Sequence, residues 1–157
     1  KNIILFHGSV VSVDGVGYLF TAKSGTGKST HTRYWCEYFK DRALMINDDK
    51  PLFEIKDDCV IVYGTPWDGK HRLSNNTKVK LKSICILNRG DTNCITKVNS
   101  SDVYSILLQQ VNRPIDDIEG MYKTLNLIDK LCKRVEFYSM NCTMNIEAAK
   151  VAIEGMK

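Results

Sequence analysis

The stretch "LFTAKSGTGKSTHTRYW", residues 19–35, decides the fold, because it runs from an apolar strand-like segment through a loop of small residues into a helix-forming one. The phosphate-loop pattern G-x-x-x-x-G-K-[ST] fits from Ala22, a tolerated variant at its first position, to Gly27, Lys28 and Ser29. Gly25 and Gly27 let the backbone take conformations closed to other residues, so that successive N–H groups along Ser24, Gly25, Thr26 and Gly27 turn inward on phosphate oxygens. The helix that follows adds the partial positive charge of its N-terminus. In this arrangement Lys28 reaches the β- and γ-phosphates, the Ser29 hydroxyl holds Mg²⁺ and Thr30 covers the α-phosphate. A glycine-rich turn that merely caps a helix is the plainer alternative. The preceding strand, the following helix and the placement of both Lys28 and Ser29 favour nucleotide binding.

Upstream, "NIILFHGSVVSVD" and "GYLFTA" are β-rich runs joined by the hairpin signal "DGVG", so an antiparallel pair over residues 3–13 is expected to feed the loop. If the turn centres near Gly15 and Val16, His7 faces Ser24. A two-residue Asp14–Gly15 turn moves the partner to Ala22. Either register sets His7 beside the phosphates, against the alternative of a half-buried strand histidine. Downstream, "ALMINDDK" brings a short apolar strand to Asp48 and Asp49, and Asp48 lies 20 residues after Lys28, room for one helix and a return strand. Walker-B carboxylates occupy such a strand end. Asp48 is assigned to the metal and Asp49 to the role of general base, because two close carboxylates beside a cation separate into one ionised ligand and one more basic group. A solvated turn is the alternative for "NDD".

The remaining chain reads as further α/β elements. Tyr34, Trp35, Tyr38 and Phe39 recur at one-turn spacing on the first helix. "PLFEI" and "CVIVYG" form a second hairpin, the polar loop "TPWDGKHRLSNN" follows, and "TKVKLKSICILNRG" is a strand that enters the core. Its Lys78, Lys80 and Lys82 alternate with Val79 and Leu81, which suits an edge guarded against aggregation, or less often a docking face for an acidic partner. "SSDVYSILLQQV" is a helix with Ser and Asp as caps, "DDIEGMYKTLNLIDKLCKR" a strongly periodic one, "VEFYSM" a strand and "NIEAAKVAIEGM" a last helix.

The 157 residues fit one nucleotide-binding domain over 1–157, and the chain opens at Lys1 directly in an apolar run, compatible with excision from a longer polypeptide. A net charge of +4 from scattered basic residues argues against nucleic acid as a partner and suits a polyanionic small ligand. With no apolar run near the ~20 residues that span a bilayer and no basic-then-apolar leader, no membrane partner and a cytoplasmic location are expected. The six cysteines contain no C-x-x-C pair and read as buried free thiols.

The order "FHGSVVSVDG", hairpin, "GYLFTAKSGTGKST", helix, "MINDDKPL" and then "GTPWDGK" resembles the HPr kinase/phosphorylase and phosphoenolpyruvate carboxykinase superfamily of P-loop proteins, and looks closest to its HPr-kinase-like serine kinases. The match covers residues 1–70. The resemblance implies a mixed β-sheet P-loop domain with C-terminal helices that transfers a phosphoryl group from ATP, or another phosphoryl donor, to a serine-type hydroxyl with Mg²⁺. One Asp of the pair, Asp48 or Asp49, would act as base, with His7 near the reacting phosphate and Lys28 offsetting its charge. The "RGLG" motif of HPr kinases is absent, and "GTPWDGKHR" takes its place in the order, with Lys70, His71 and Arg72 as candidate phosphate or substrate clamps. The expected acceptor is thus a hydroxyl-bearing protein, peptide or small molecule. A nucleotide-binding module without turnover and a carboxykinase-like phosphotransferase stay open, as does homo-oligomerisation.

Overall fold

The computed structural model describes residues 2–22, 26–69 and 71–157. Its elements are β1 Ile3–Leu5, β2 Ser9–Val13, β3 Val16–Thr21, α1 Lys28–Phe39, β4 Ala43–Asn47, β5 Leu52–Ile55, β6 Val60–Tyr63, β7 Lys78–Arg89, β8 Cys94–Val98, α2 Ser100–Gln110, α3 Ile118–Arg134, β9 Glu136–Cys142 and α4 Glu147–Gly155. The architecture is α/β with a mixed sheet and C-terminal helices. The sheet runs β1-β5-β6-β7-β3-β2-β4, with β9 beside the second half of β7 and β8 beyond β9.

Strand β3 has β2 antiparallel on one side and β7 parallel on the other. A two-residue Asp14–Gly15 turn makes the hairpin, both residues with positive φ, and sets the register Ser9↔Phe20 through Val13↔Val16. Extended two residues, that register puts His7 opposite Ala22, the second of the two expected alignments. Thr21 donates its hydroxyl to the His7 carbonyl at 3.0 Å.

Residues 3–13 do not form one strand. β1 pairs with β5 and β2 with β4, so the two segments make one antiparallel ribbon with residues 43–55 that bends in its middle. Register carries through the bend: Leu5 faces Leu52, Phe6 N–H donates to Pro51 O at 3.1 Å, Gly8 N–H to Asp49 O at 2.9 Å, and Val10 faces Asn47. Only beyond Val10 does a bulge shift it. At the bend His7 N–H points the other way, to Gln110 O at the end of α2, at 2.8 Å.

Strand alternation divides the apolar residues between two cores. Val10, Leu19, Ile84 and Ile86 join Val103, Leu107, Ile128 and Leu131 of α2 and α3 on one face. Val11, Val13, Phe20, Cys85 and Leu87 meet Trp35 and Phe39 of α1 and three alanines of α4 on the other.

Several local expectations need correction. β7 lies inside the sheet with partners on both sides, so Lys78, Lys80 and Lys82 guard no edge; their alternation with buried Val79 and Leu81 reports one solvated face. Asn99 rather than a serine flanks the start of α2. Strand β8, unforeseen, pairs along β9. All six thiols are free, but Cys94 is exposed and Cys36 and Cys132 are half-buried. No described helix is long and apolar enough to cross a membrane.

Candidate functional site

The site forms where the ribbon bends against the start of α1. Gly27 takes a left-handed φ of 98° as the N-cap, no side chain among the described residues caps the helix by a hydrogen bond, and its first turn holds no acid. Its positive end is therefore left for something else to neutralise. Thr26, Gly27, Lys28, Ser29 and Thr30 are all half-exposed. Ser24 and Gly25, expected to contribute amides, lie outside the described residues. The Lys28 ammonium donates to Ala22 O at 3.5 Å; burial pushes its pKa down, opposed by the charges of Asp49 and Asp48. The two carboxylates thus lie within electrostatic reach of the lysine.

Asp48 is the buried member of the acidic pair, 4% exposed. Its Oδ1 accepts from the Ser9 hydroxyl at 2.9 Å, and Ser9 in turn shares a 2.9 Å hydrogen bond with Thr32. Its Oδ2 is sealed from water and has no hydrogen-bond partner among the described residues. Burial raises the Asp48 pKa; the Ser9 hydrogen bond, the nearby Ser29 hydroxyl and the charges of His71 and Arg33 pull it back. A sealed carboxylate oxygen with the Ser29 hydroxyl nearby is a pair of hard oxygen donors of the kind that suits Mg²⁺. Among the described residues no three of His, Cys, Asp and Glu cluster as metal ligands, so phosphate or water oxygens would have to complete the shell.

Asp49 points elsewhere. Its Oδ1 lies 3.1 Å from His7 Nε2, with both side chains partly exposed, and His7 Nδ1 is 3.2 Å from Gln110 Oε1. Adjacent residues at a strand end face opposite ways, which separates a buried carboxylate from an accessible one. The bend itself is an Asx turn: Asn47 Oδ1 accepts from Asp49 N–H at 2.9 Å. The Asn47 amide donates to Thr65 O and Oγ1, both at 3.0 Å, and Thr65 Oγ1 donates to Lys50 O at 2.7 Å. The "GTPWDGKHR" loop is thereby fastened over the acidic pair, with Gly69 against Asp49. In that loop His71, Arg72 and Trp67 are exposed, whereas Lys70 lies outside the described residues.

A cleft of about 530 Å³ opens beside His7 and Asp49, walled by Phe6, Lys50, Gln109, Gln110 and Asn112. The structure brings His7, Lys28, Ser29, Asp48 and Asp49 to one place. Ser9, Thr32, Asn47 and Gln110 join them and were not legible as site residues. Ser9 sits in a strand buried on both faces, with no alternation to mark it, and Gln110 stands 103 positions from its partner His7.

No protein-family model and no curated protein sequence matches the chain. Among solved structures it bears a distant resemblance to the HPr(Ser) kinase/phosphatase from Coxiella burnetii, with a TM-score of 0.42 and 14% identity over 81% of this chain and 96% of that one.

Proposed function

We propose that the protein is an ATP-dependent kinase of the HPr-kinase-like kind, which transfers a phosphoryl group to a serine-type hydroxyl. The observation that carries this reading is the sealed, partnerless Oδ2 of Asp48 beside Ser29, at the foot of an uncapped helix that begins with Gly27 and Lys28. A buried carboxylate oxygen left without a donor is costly unless a ligand completes it. The motif order that resembles the HPr kinase superfamily supports the same reading.

In this mechanism the N–H groups at Thr26 and Gly27 and the Lys28 ammonium bind the donor phosphates, and Thr30 covers the α-phosphate. Ser29 and Asp48 would hold Mg²⁺, which supplies charge neutralisation on the phosphates. The acceptor enters by the cleft at His7 and Asp49. Asp49 takes the proton of its hydroxyl as the oxygen–phosphorus bond forms and the bond to the leaving diphosphate oxygen breaks. His7, tethered by Gln110, keeps the Asp49 carboxylate oriented. The loop of Thr65, Trp67 and Arg72 limits water above the reacting groups.

The test is Mg·ATP binding and phosphoryl transfer from labelled ATP, with free serine and serine peptides offered as acceptors. Lys28→Ala is expected to weaken ATP binding about tenfold or more and to abolish transfer with the fold intact. Unchanged affinity in that variant removes the phosphate-loop reading. Lys28-dependent binding without transfer to any acceptor favours the module without turnover.

A further inference from the structure

We propose that the segment Thr143–Ile146, between β9 and α4, is a nucleoside-binding wall beside the phosphate loop, so that the donor is a nucleotide and not pyrophosphate or another bare polyphosphate. The inference rests on the phosphate reading of Thr26–Thr30 given above.

Topology points to the place. Strands β3, β7 and β9 run parallel, so their C-terminal ends open on one edge of the sheet. Ligands of open α/β sheets bind beyond such ends. With phosphates at the loop after β3, the rest of a donor has to lie over the loops that follow β7 and β9. The second of these touches the phosphate loop: the Met144 methyl carbon lies 2.9 Å and its sulfur 3.2 Å from where a Cβ on Gly27 would stand. A side chain at Gly27 would push the flexible end of Met144 aside.

The segment is held on both flanks. Asn93 Oδ1 accepts from Thr143 N–H at 2.8 Å and from its hydroxyl at 3.1 Å, and Gly90 N–H donates to Cys142 O at 3.1 Å. On the other flank the Tyr34 hydroxyl donates to Met144 O at 2.9 Å. These bonds fix a loop whose apolar side chains stay in water, Met144 at 44% and Ile146 at 36% exposure. Large apolar groups fixed in water next to a phosphate site suit a ligand with a charged end and a flat apolar end. A thioether packs well on a heteroaromatic ring. Tyr34 also borders a groove of about 400 Å³ along α1, with Thr30, Arg33 and Glu37. That groove starts at Thr30, the residue assigned to the α-phosphate, and runs past Tyr34, which anchors Met144, to Glu37. A ribose and base leaving the α-phosphate would therefore lie along the surface that Tyr34 and Met144 form together.

Equilibrium binding of ATP and of inorganic tripolyphosphate, each with Mg²⁺, separates the nucleoside contribution because both carry three phosphates. The wild-type chain is expected to bind ATP about tenfold tighter than tripolyphosphate, and Met144→Ala to erase most of that advantage while tripolyphosphate affinity stays within about twofold. Tyr34→Phe, which frees the loop but keeps the ring, should reduce the ATP advantage in part. Equal binding of the two ligands to the wild-type chain, with both lost in Lys28→Ala, overturns the nucleoside wall and leaves the phosphate reading intact. Equal weakening of both ligands by Met144→Ala also overturns it. If neither ligand binds the wild-type chain, the phosphate reading falls and this one with it.

Discussion

Asp48 and Asp49 are neighbours in sequence with opposite surroundings, and the difference is physical. Asp48 has one oxygen satisfied by Ser9 and one sealed without a partner, whereas Asp49 looks onto an open cleft with His7 alongside. A buried carboxylate whose charge is only half answered costs stability in the empty protein. Asp48→Asn is therefore expected to make the ligand-free chain more stable, by about 1 kcal/mol in chemical denaturation, while raising the Mg²⁺ concentration needed for transfer. Asp49→Asn should do the reverse, cutting transfer with little change in Mg·ATP affinity or in stability. If neither variant alters transfer at limiting Mg²⁺, "NDD" is only the Asx turn that Asn47 makes of it. That Lys28 and the paired acids would come together was legible because each is a residue type fixed in spacing to a strand or helix end. Ser9 and Gln110 were not, because a serine in a valine-rich strand and a glutamine at a helix end carry no spacing that names a partner far along the chain.

Among the elements, the bent ribbon does most to build the site. The Asp14–Gly15 hairpin could be read locally, since Asp-Gly fixes the turn and hence the register. The bend could not. It depends on residues 6–8 bonding to Pro51 and Asp49 on one side and to Gln110 on the other, which are contacts between distant segments. The lysine row of β7 misled for the same reason: alternation reports which face is solvated, while edge or centre is decided by partners elsewhere in the chain. A second device holds the loop above the acids. Gly64 passes so close to the strand end that a Cβ there would run into the Asn75 carbonyl and come within 2.7 Å of Ile46 O. Asn75 itself is tied to β4, its N–H donating to Ile46 O at 3.1 Å and its amide to Met45 O at 2.6 Å. Gly64→Ala has backbone on both sides and no flexible side chain to yield. It is expected to cost about 3 kcal/mol, and to lower transfer further by lifting Thr65 and the loop from Asn47. Denaturant midpoints together with transfer rates measured well below the melting point would check both parts, and a variant as stable as the wild type removes the clamp.

At the scale of the whole molecule, the two cores lie on opposite faces of one sheet, and the helix that starts at the phosphate loop also carries the aromatic centre of one of them. His31 is where these duties meet. It is 3% exposed, accepts from Trp35 Nε1 through Nε2 at 3.0 Å, and packs edge-on against Phe20 at 4.5 Å, while its Nδ1 has no partner. Burial holds its pKa at about 4, from an ordinary value of 6.5. Neutral imidazole is thus the folded form, and the unfolded chain binds a proton that the folded chain refuses between these two values. The sign follows: His31 contributes stability that is complete above about pH 6.5 and is lost as pH falls toward 4, in all about 3 kcal/mol. Asp48 acts with the opposite sign, since its raised pKa makes the folded state costlier as pH rises through it, so acid relieves that penalty and partly masks the histidine. His31→Gln keeps an acceptor for Trp35 and removes the titration. Denaturant unfolding at pH 7 and pH 4.5 should show a stability loss in the wild-type chain that shrinks by most of its size in the variant. In Asp48→Asn, where the masking term is gone, the same loss should grow. A wild-type loss that His31→Gln leaves unchanged would place the acid sensitivity outside the α1 core, and the buried neutral histidine would not be its source.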